Sequence, residues 1–341
     1  MYGLKGVDGN GPAVTLIPRH NLPMRSLRLI LLFAVSCAGQ DASPIVIDTD
    51  AGSDDLMAIA FLLARGAPVA GITVVNGLAH VPSGVANIEH LVGLSNSRSI
   101  PVFGGREMPL SGSAEFPKAW REQSDRLLTG KRRPHAGAAR FLASQKRIRI
   151  LALGPLTNLA EALGLDPALA RRVEELVIMG GAVRVPGNLG DGGYFKTDNT
   201  WAEWNIFVDP IAARKVFQAG MKIRLVPLDA TNKAPLSVQF LNDFVKRART
   251  PLAKAVAKIL EASREHIERG IFYAWDPLAA VALIEPGVVK TTPLALEIRA
   301  GGPQAGRTVE ISGGKPNAAV ALDADSSSFH RIYLEALTGA R

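Results

Sequence analysis

Four carboxylates fall within eight residues, at Asp48, Asp50, Asp54 and Asp55. They follow the β-branched run Ile45-Val46-Ile47 and precede the apolar block Leu56 to Leu63. That places them on the loop leaving a buried strand and on the first turn of the next helix. Charges packed this tightly repel unless something positive sits among them. Hard oxygen ligands on a loop suit Ca²⁺ or Mg²⁺. Carboxylates beside a bound cation can take the proton of an activated water and so generate a nucleophile. A plainer role, acids complementing a helix dipole, would account for Asp54 and Asp55 only.

Other polar groups follow hydrophobic runs in the same way. They are Asn76, the carbonyl region of Leu153, the set Asn188, Glu203 and Asn205 beyond Met179, and Trp275-Asp276 before a late helix. No Ser–His–Asp or Cys–His arrangement accompanies them, which argues against nucleophilic acyl chemistry. Acids, asparagines and a few aromatics suit a polyhydroxylated ligand. Taken singly, the loop asparagines read equally well as turn formers.

The elements that must position these groups alternate along the chain. Strands are expected at 45–47, 69–75, 100–103, 148–153, 176–179 and 223–227, with helices near 56–63, 83–94, 136–145, 154–163 and 210–219 between them. This spacing argues for an α/β fold, a single large doubly wound, mostly parallel sheet with flanking helices. In such sheets ligands bind outside the carboxyl ends of the strands, where the acids lie. Two long irregular stretches, 105–135 and 182–203, interrupt the pattern and carry functional expectations. Residues 236–269 read as mostly helical, 289–321 as a short β region closing one edge, and 277–284 and 326–337 as helices.

The whole chain sets outer bounds. Its 341 residues are 47% hydrophobic, enough for a large core. The net charge of +8 is dispersed, with one short basic cluster at Lys131-Arg132-Arg133, so no nucleic-acid polymer is expected as partner. The single cysteine, Cys37, excludes an intramolecular disulfide and a cysteine-based metal site. It lies in a segment that reads as an export signal. Met24-Arg25-Ser26-Leu27-Arg28 is a basic start, Leu29 to Val35 an apolar stretch too short to span a bilayer, and Ser36-Cys37-Ala38-Gly39 a small-residue cleavage region. Cleavage after Ala38 and lipidation of Cys37 both fit, although Ala34 makes a poor lipobox. Residues 1–40 are therefore expected to be leader and export signal, and 41–341 the catalytic domain, giving an exported, periplasmic or secreted protein.

Asp48-Thr49-Asp50 with Asp54-Asp55 after a hydrophobic strand is similar to the acidic fingerprint of the nucleoside hydrolases, the inosine-uridine preferring family. The resemblance extends through Gly154-Pro155-Leu156-Thr157-Asn158, Val177-Ile178-Met179-Gly180-Gly181, Ala202-Glu203-Trp204-Asn205-Ile206 and Trp275-Asp276-Pro277. Five blocks in this order are far more specific than the acidic motif alone. The resemblance implies calcium-dependent hydrolysis of the N-glycosidic bond of ribonucleosides to free base and ribose. It implies that Asp50 is both calcium ligand and general base, with Asp55, the Leu153 carbonyl and Asp276 as the other ligands. It implies Asp54, Asp55, Met179, Asn188, Glu203, Asn205 and Asp276 as ribose contacts. Members often assemble as homo-oligomers.

The residue before the late aspartate separates subgroups. Inosine-uridine types carry His there, whereas this chain has Trp275. With Trp120 in the first irregular stretch, it resembles the purine-specific branch, in which two tryptophans sandwich the base. Two departures stand out. Leu78 occupies the position of a family Asn or Asp after the second strand, leaving Asn76 as a candidate substitute, and Gly52 stands where the purine branch often has Asn. Three alternatives accompany this reading. One is a broad-specificity or pyrimidine enzyme, another a non-catalytic exported nucleoside- or sugar-binding protein. The third is a phosphohydrolase using Asp48-Thr49-Asp50 with Mg²⁺, which Asp54-Asp55 fits poorly.

Overall fold

The computed structural model describes residues 43–95, 100–112, 115–128, 136–193 and 195–339. The export-signal segment, Cys37 and Lys131-Arg132-Arg133 lie outside the described residues. Strands are β1 (Ile45–Thr49), β2 (Val69–Val74), β3 (Val102–Gly104), β4 (Ile148–Ala152), β5 (Val173–Met179), β6 (Ile223–Val226), β7 (Val289–Leu294), β8 (Leu296–Ile298), β9 (Thr308–Glu310) and β10 (Ala318–Ala324). The helices up to the sixth parallel strand are α1 (Ser53–Ala64), α2 (Val81–Gly93), α3 (Lys118–Ser124), α4 (Ala138–Ser144), α5 (Thr157–Leu165), α6 (Leu169–Arg172), α7 (Trp204–Val208) and α8 (Pro210–Phe217). Beyond it come α9 (Leu228–Thr231), α10 (Val238–Arg247), α11 (Pro251–Ala262), α12 (Arg264–Glu268), α13 (Trp275–Ile284) and α14 (Ser326–Thr338).

The main sheet runs β3-β2-β1-β4-β5-β6-β10-β7. All its pairings are parallel except β10 with β7. Strand order reverses between β1 and β4, which opens a crevice at their carboxyl ends, where α/β sheets bind ligands. Side chains alternate across the sheet: Ile45 and Ile47 enter one apolar layer, Val46 the other.

Helix α1 is apolar on every side from Leu56 to Leu63, and that whole stretch is buried. Helix α13 is likewise buried from Asp276 to Leu283 and packs on α1. Both therefore sit inside the core with their N-termini at the crevice. Asp54 and Asp55 open the first turn of α1, and Asp276 that of α13. The positive ends of two helix dipoles thus face the same acids.

Two expectations change. The stretch 105–135 is not wholly irregular, because α3 forms within it. The region 289–321 does more than close an edge: β7 is the antiparallel edge, β10 inserts between β6 and β7, and β8 with β9 makes a separate two-stranded sheet. A run of short strands gives no sequence cue to which neighbour it will pair with, since register is set by burial and turns.

Candidate active site

The loop from β1 to α1 folds back on its own acids. Ala51 adopts a left-handed backbone (φ 59°), a strained state for a residue with a side chain. Asp55 organises the turn: its Oδ1 accepts from the Thr49 hydroxyl and from the Asp50 amide (3.2 Å), and its Oδ2 from the Gly52 amide (3.0 Å). Asp50 Oδ2 accepts the Leu78 amide at 2.9 Å from the turn after β2. A side chain on Gly77 would bring its Cβ within 2.0 Å of that carboxylate oxygen, so glycine permits the approach. Asp48 takes no part in the pocket. It is fully buried under the sheet end, accepting from Thr73 Oγ1 (2.6 Å) and Asn158 Nδ2 (2.8 Å), as a partner that orients the loop.

Asp50, Asp54, Asp55 and Asp276 converge on one cavity, and among the described residues no Lys or Arg lines it. Burial pushes the Asp54 carboxyl up to about 8, with the Asp55 charge adding to it. Asp50 and Asp276 are held well above the usual carboxylate range, first by burial and then by the charge of Asp55. Burial likewise raises Asp48 to about 7, against the lowering effect of its hydrogen bonds. One oxygen each from Asp54, Asp55 and Asp276 lies within 4.8 Å of the others. Asp50 Oδ1 and Asp276 Oδ1 are buried with no hydrogen-bond partner. Orphaned oxygens of this kind, all hard donors in an uncompensated anionic cluster, fit a divalent cation. Asp50, expected as a ligand, lines the same cavity, while the tight three-carboxylate grouping includes Asp54 in its place.

The expected sugar contacts come together beside the acids: Met179, Asn188, Glu203 and Asn205 line the cavity, as does Leu153. Glu203 caps α7, accepting from the amides of Asn205 (2.9 Å), Ile206 (3.2 Å) and, from beyond β5, Gly181 (2.8 Å). Gly181 has φ 82°, the left-handed conformation glycine tolerates. Burial raises the Glu203 carboxyl despite these donors. Asn205 Nδ2 donates to the Leu153 carbonyl (3.0 Å) and to the Met179 carbonyl (3.3 Å). The Leu153 oxygen keeps a second lone pair for a further partner. Asn188 Oδ1 accepts the Trp204 amide at 3.3 Å.

The lining is also aromatic. Trp120 on α3 and Trp275 at the start of α13 both line the cavity, although 155 residues of sequence separate them. Sequence reasoning missed Phe116 and Trp204, which stack at 4.9 Å between centroids, and Ser263, His266, Ile271 and Phe272. Trp204 stood in plain view between Glu203 and Asn205, whereas nothing in the sequence links His266 to a strand end. Asn76 does not line the cavity; Leu78 does. The two departures meet, because a Cβ on Gly52 would lie 2.6 Å from Leu78 Cδ1. A larger residue at 52 would have to displace Leu78.

Residues 45–331 match the family model described as inosine-uridine preferring nucleoside hydrolase. The chain belongs to that family. It is an enzyme that hydrolyses N-glycosyl bonds. The pyrimidine-specific ribonucleoside hydrolase RihA of Salmonella gallinarum is 31% identical over 321 residues, spanning 87% of this chain and 98% of the relative. Among solved structures, the plant nucleoside hydrolase PpNRh1 superposes with TM-score 0.76 at 28% identity, covering 87% of this chain and 99% of that one. An inosine-guanosine nucleoside hydrolase superposes with TM-score 0.68 at 26% identity, covering 86% and 98%. Nucleoside hydrolases use a metal ion, and the buried carboxylates of this one provide a donor set for it.

Proposed function

We propose that this nucleoside hydrolase is calcium-dependent and prefers purine ribonucleosides, releasing the base and ribose. The observation that carries the reading is that Trp120 and Trp275 line the same cavity as Asp50, Asp54, Asp55 and Asp276. A flat ring entering between the aromatic wall and the acids gains offset stacking, and stacking on tryptophan favours an electron-rich bicyclic base. The similarity to an inosine-guanosine hydrolase supports this preference. Pyrimidine preference is the second reading, supported by the 31% identity to RihA.

Asp50, Asp55, Asp276 and the Leu153 carbonyl would hold the calcium ion, with Asp54 close enough to join them. When bound, the ion supplies Lewis-acid activation of water and a fixed point for the ribose diol. Asp50 takes the proton of the attacking water, its Oδ2 held by Leu78 and its Oδ1 without a hydrogen-bond partner. Asp54 accepts from a ribose hydroxyl. Glu203, Asn205, Asn188 and Met179 form the remaining contacts to the sugar. The carboxylates stabilise the positive charge that develops on the ribosyl ring as the bond to the base breaks, as in other glycosyl transfers.

A reducing-sugar assay over inosine, guanosine, adenosine, uridine and cytidine, with and without chelator, tests the reading. Faster release from purines, lost on chelation and restored by Ca²⁺, supports it. Faster release from uridine and cytidine sinks the purine preference, and no release from any of the five sinks the activity. Export rests on the pattern from Met24 to Gly39, and N-terminal sequencing of protein recovered outside the cytoplasm tests that part separately.

A further inference from the structure

Helix α3 is seven residues long, too short to hold its shape or place alone, so its position is a tertiary matter. It carries Trp120, Gln123 and Ser124 into the cavity wall, and Leu127 follows just beyond it. Arg121, the neighbour of Trp120, does not line the cavity and is only 6% exposed. Its Nη2 donates to Asn76 Oδ1 at 2.9 Å, wholly inside the protein. Its ion pair with Glu115 (3.1 Å) involves a carboxylate that is itself 43% exposed and so contributes little to fixing geometry. A buried guanidinium costs free energy unless it is well partnered, so the Asn76 bond sets where this helix can sit.

Asn76 begins a three-residue turn that serves two masters. Its side chain holds α3, and two residues later the Leu78 amide holds Asp50 Oδ2, with Gly77 pressed against the same carboxylate. We propose that Arg121 is a positioning residue for this reaction: through Asn76 it fixes Trp120 in register with the turn that orients Asp50, so that the base contact and the proton acceptor share one mount. A second clasp lies at the outer end of α3, where Asp125 accepts from the His80 amide (3.0 Å) and faces His80 Nδ1 (2.9 Å). A third clasp, buried, joins Asn87 Nδ2 to the Ser124 carbonyl (2.8 Å), and of the three only the Arg121 bond ties the helix to the turn that holds Asp50.

The inference rests on the reading of Trp120 as a base contact, and a double-variant cycle tests it on the full-length enzyme with its preferred nucleoside. Arg121→Ala is expected to raise KM about tenfold with kcat within about threefold, a loss of binding rather than of chemistry. Arg121→Lys, which can still reach Asn76 with one donor, recovers most of that loss. In a Trp120→Ala background, Arg121→Ala costs less than about a further twofold, because both changes remove the same contact. Losses that multiply, or an Arg121→Ala enzyme with unaltered kinetics, overturn the proposal. Should Arg121→Ala not fold, Asn76→Ala removes the other half of the bond and enters the same cycle with the same criteria. A wild-type enzyme that hydrolyses no nucleoside overturns the functional reading beneath it, whereas an active enzyme with multiplicative losses overturns the role of Arg121 alone.

Discussion

The floor and the aromatic wall of the cavity are supported by different kinds of structure. The acids of the floor stand on the end of β1 and on the first turns of α1 and α13, elements buried along almost their whole length. The wall stands on α3 and on the segment around α12 to Trp275, outside the sheet. Among the described residues, α3 is tied down mainly by polar clasps: Arg121 to Asn76, Asp125 to His80, and Asn87 to the Ser124 carbonyl (2.8 Å). The other part of the wall is held to residues 234–236 by backbone bonds from Ala274 to Ala234 (2.9 Å) and from Leu236 to Phe272 (3.0 Å). The Trp120 side of the wall is thus mounted apart from the floor, whereas Trp275 shares α13 with Asp276. Changes to the floor should abolish turnover, and changes to the wall should redistribute it among substrates.

Removing the proton acceptor gives the largest expected effect. Asp50→Asn keeps the shape of the floor but should lower kcat by about 10³-fold or more, within the range general-base removal produces. Near-normal kcat in steady-state assays would end the assignment of Asp50.

Stripping the metal comes next. Chelation should abolish activity, and calorimetry should show the stripped protein losing stability as pH rises. The sign follows from the raised carboxyls. Asp54 at about 8 and Asp48 at about 7 bind protons in the folded state over a window where the unfolded chain, near 3.8, does not. Stability is therefore fullest below about pH 4 for these two groups and is lost as pH climbs through 7 to 8. Added Ca²⁺ favours the charged forms and should flatten that slope. A melting temperature in chelator that rises from pH 5 to 9 would contradict the burial of these acids.

The wall is the next target. Trp275→Ala or Trp120→Ala should cost about 1–3 kcal/mol in kcat/KM for the preferred nucleoside, the worth of one base–aromatic stack. The cost should be smaller for the disfavoured base class; equal losses across a nucleoside panel would mean that the wall does not select.

The smallest effect belongs beneath the floor. Asp48→Asn keeps an acceptor for Thr73 Oγ1 and changes unfolding free energy by less than about 1 kcal/mol, with kcat nearly intact. A loss of activity approaching that of Asp50→Asn would show that Asp48 belongs to the floor itself.

Much of the floor was legible because it is local. Asp50, Asp54 and Asp55 lie within six residues, and the apolar block behind them announces a buried helix. The strand ends that carry Leu153 and Met179 followed from periodicity and from the rule that such sheets bind ligands at their carboxyl edge. Helix α3 was hidden, because a seven-residue helix among polar and glycine residues has no period long enough to read. Asn76 showed the limit most clearly. Its place after a strand suggested a ligand contact, and folding gave its side chain to Arg121.

The sequence by itself determined the parallel α/β layout, the acidic loop and the family, all of which are written in short-range pattern. Only the tertiary structure decided that Gly52 and Leu78 share one space, that Asn76 pairs with Arg121, and that Trp204 and His266 line the same cavity as the acids. The physical reason is that burial and hydrogen-bond partnership belong to pairs of residues far apart in the chain. Local pattern fixes which face a residue presents, and packing of the folded layers fixes what it meets.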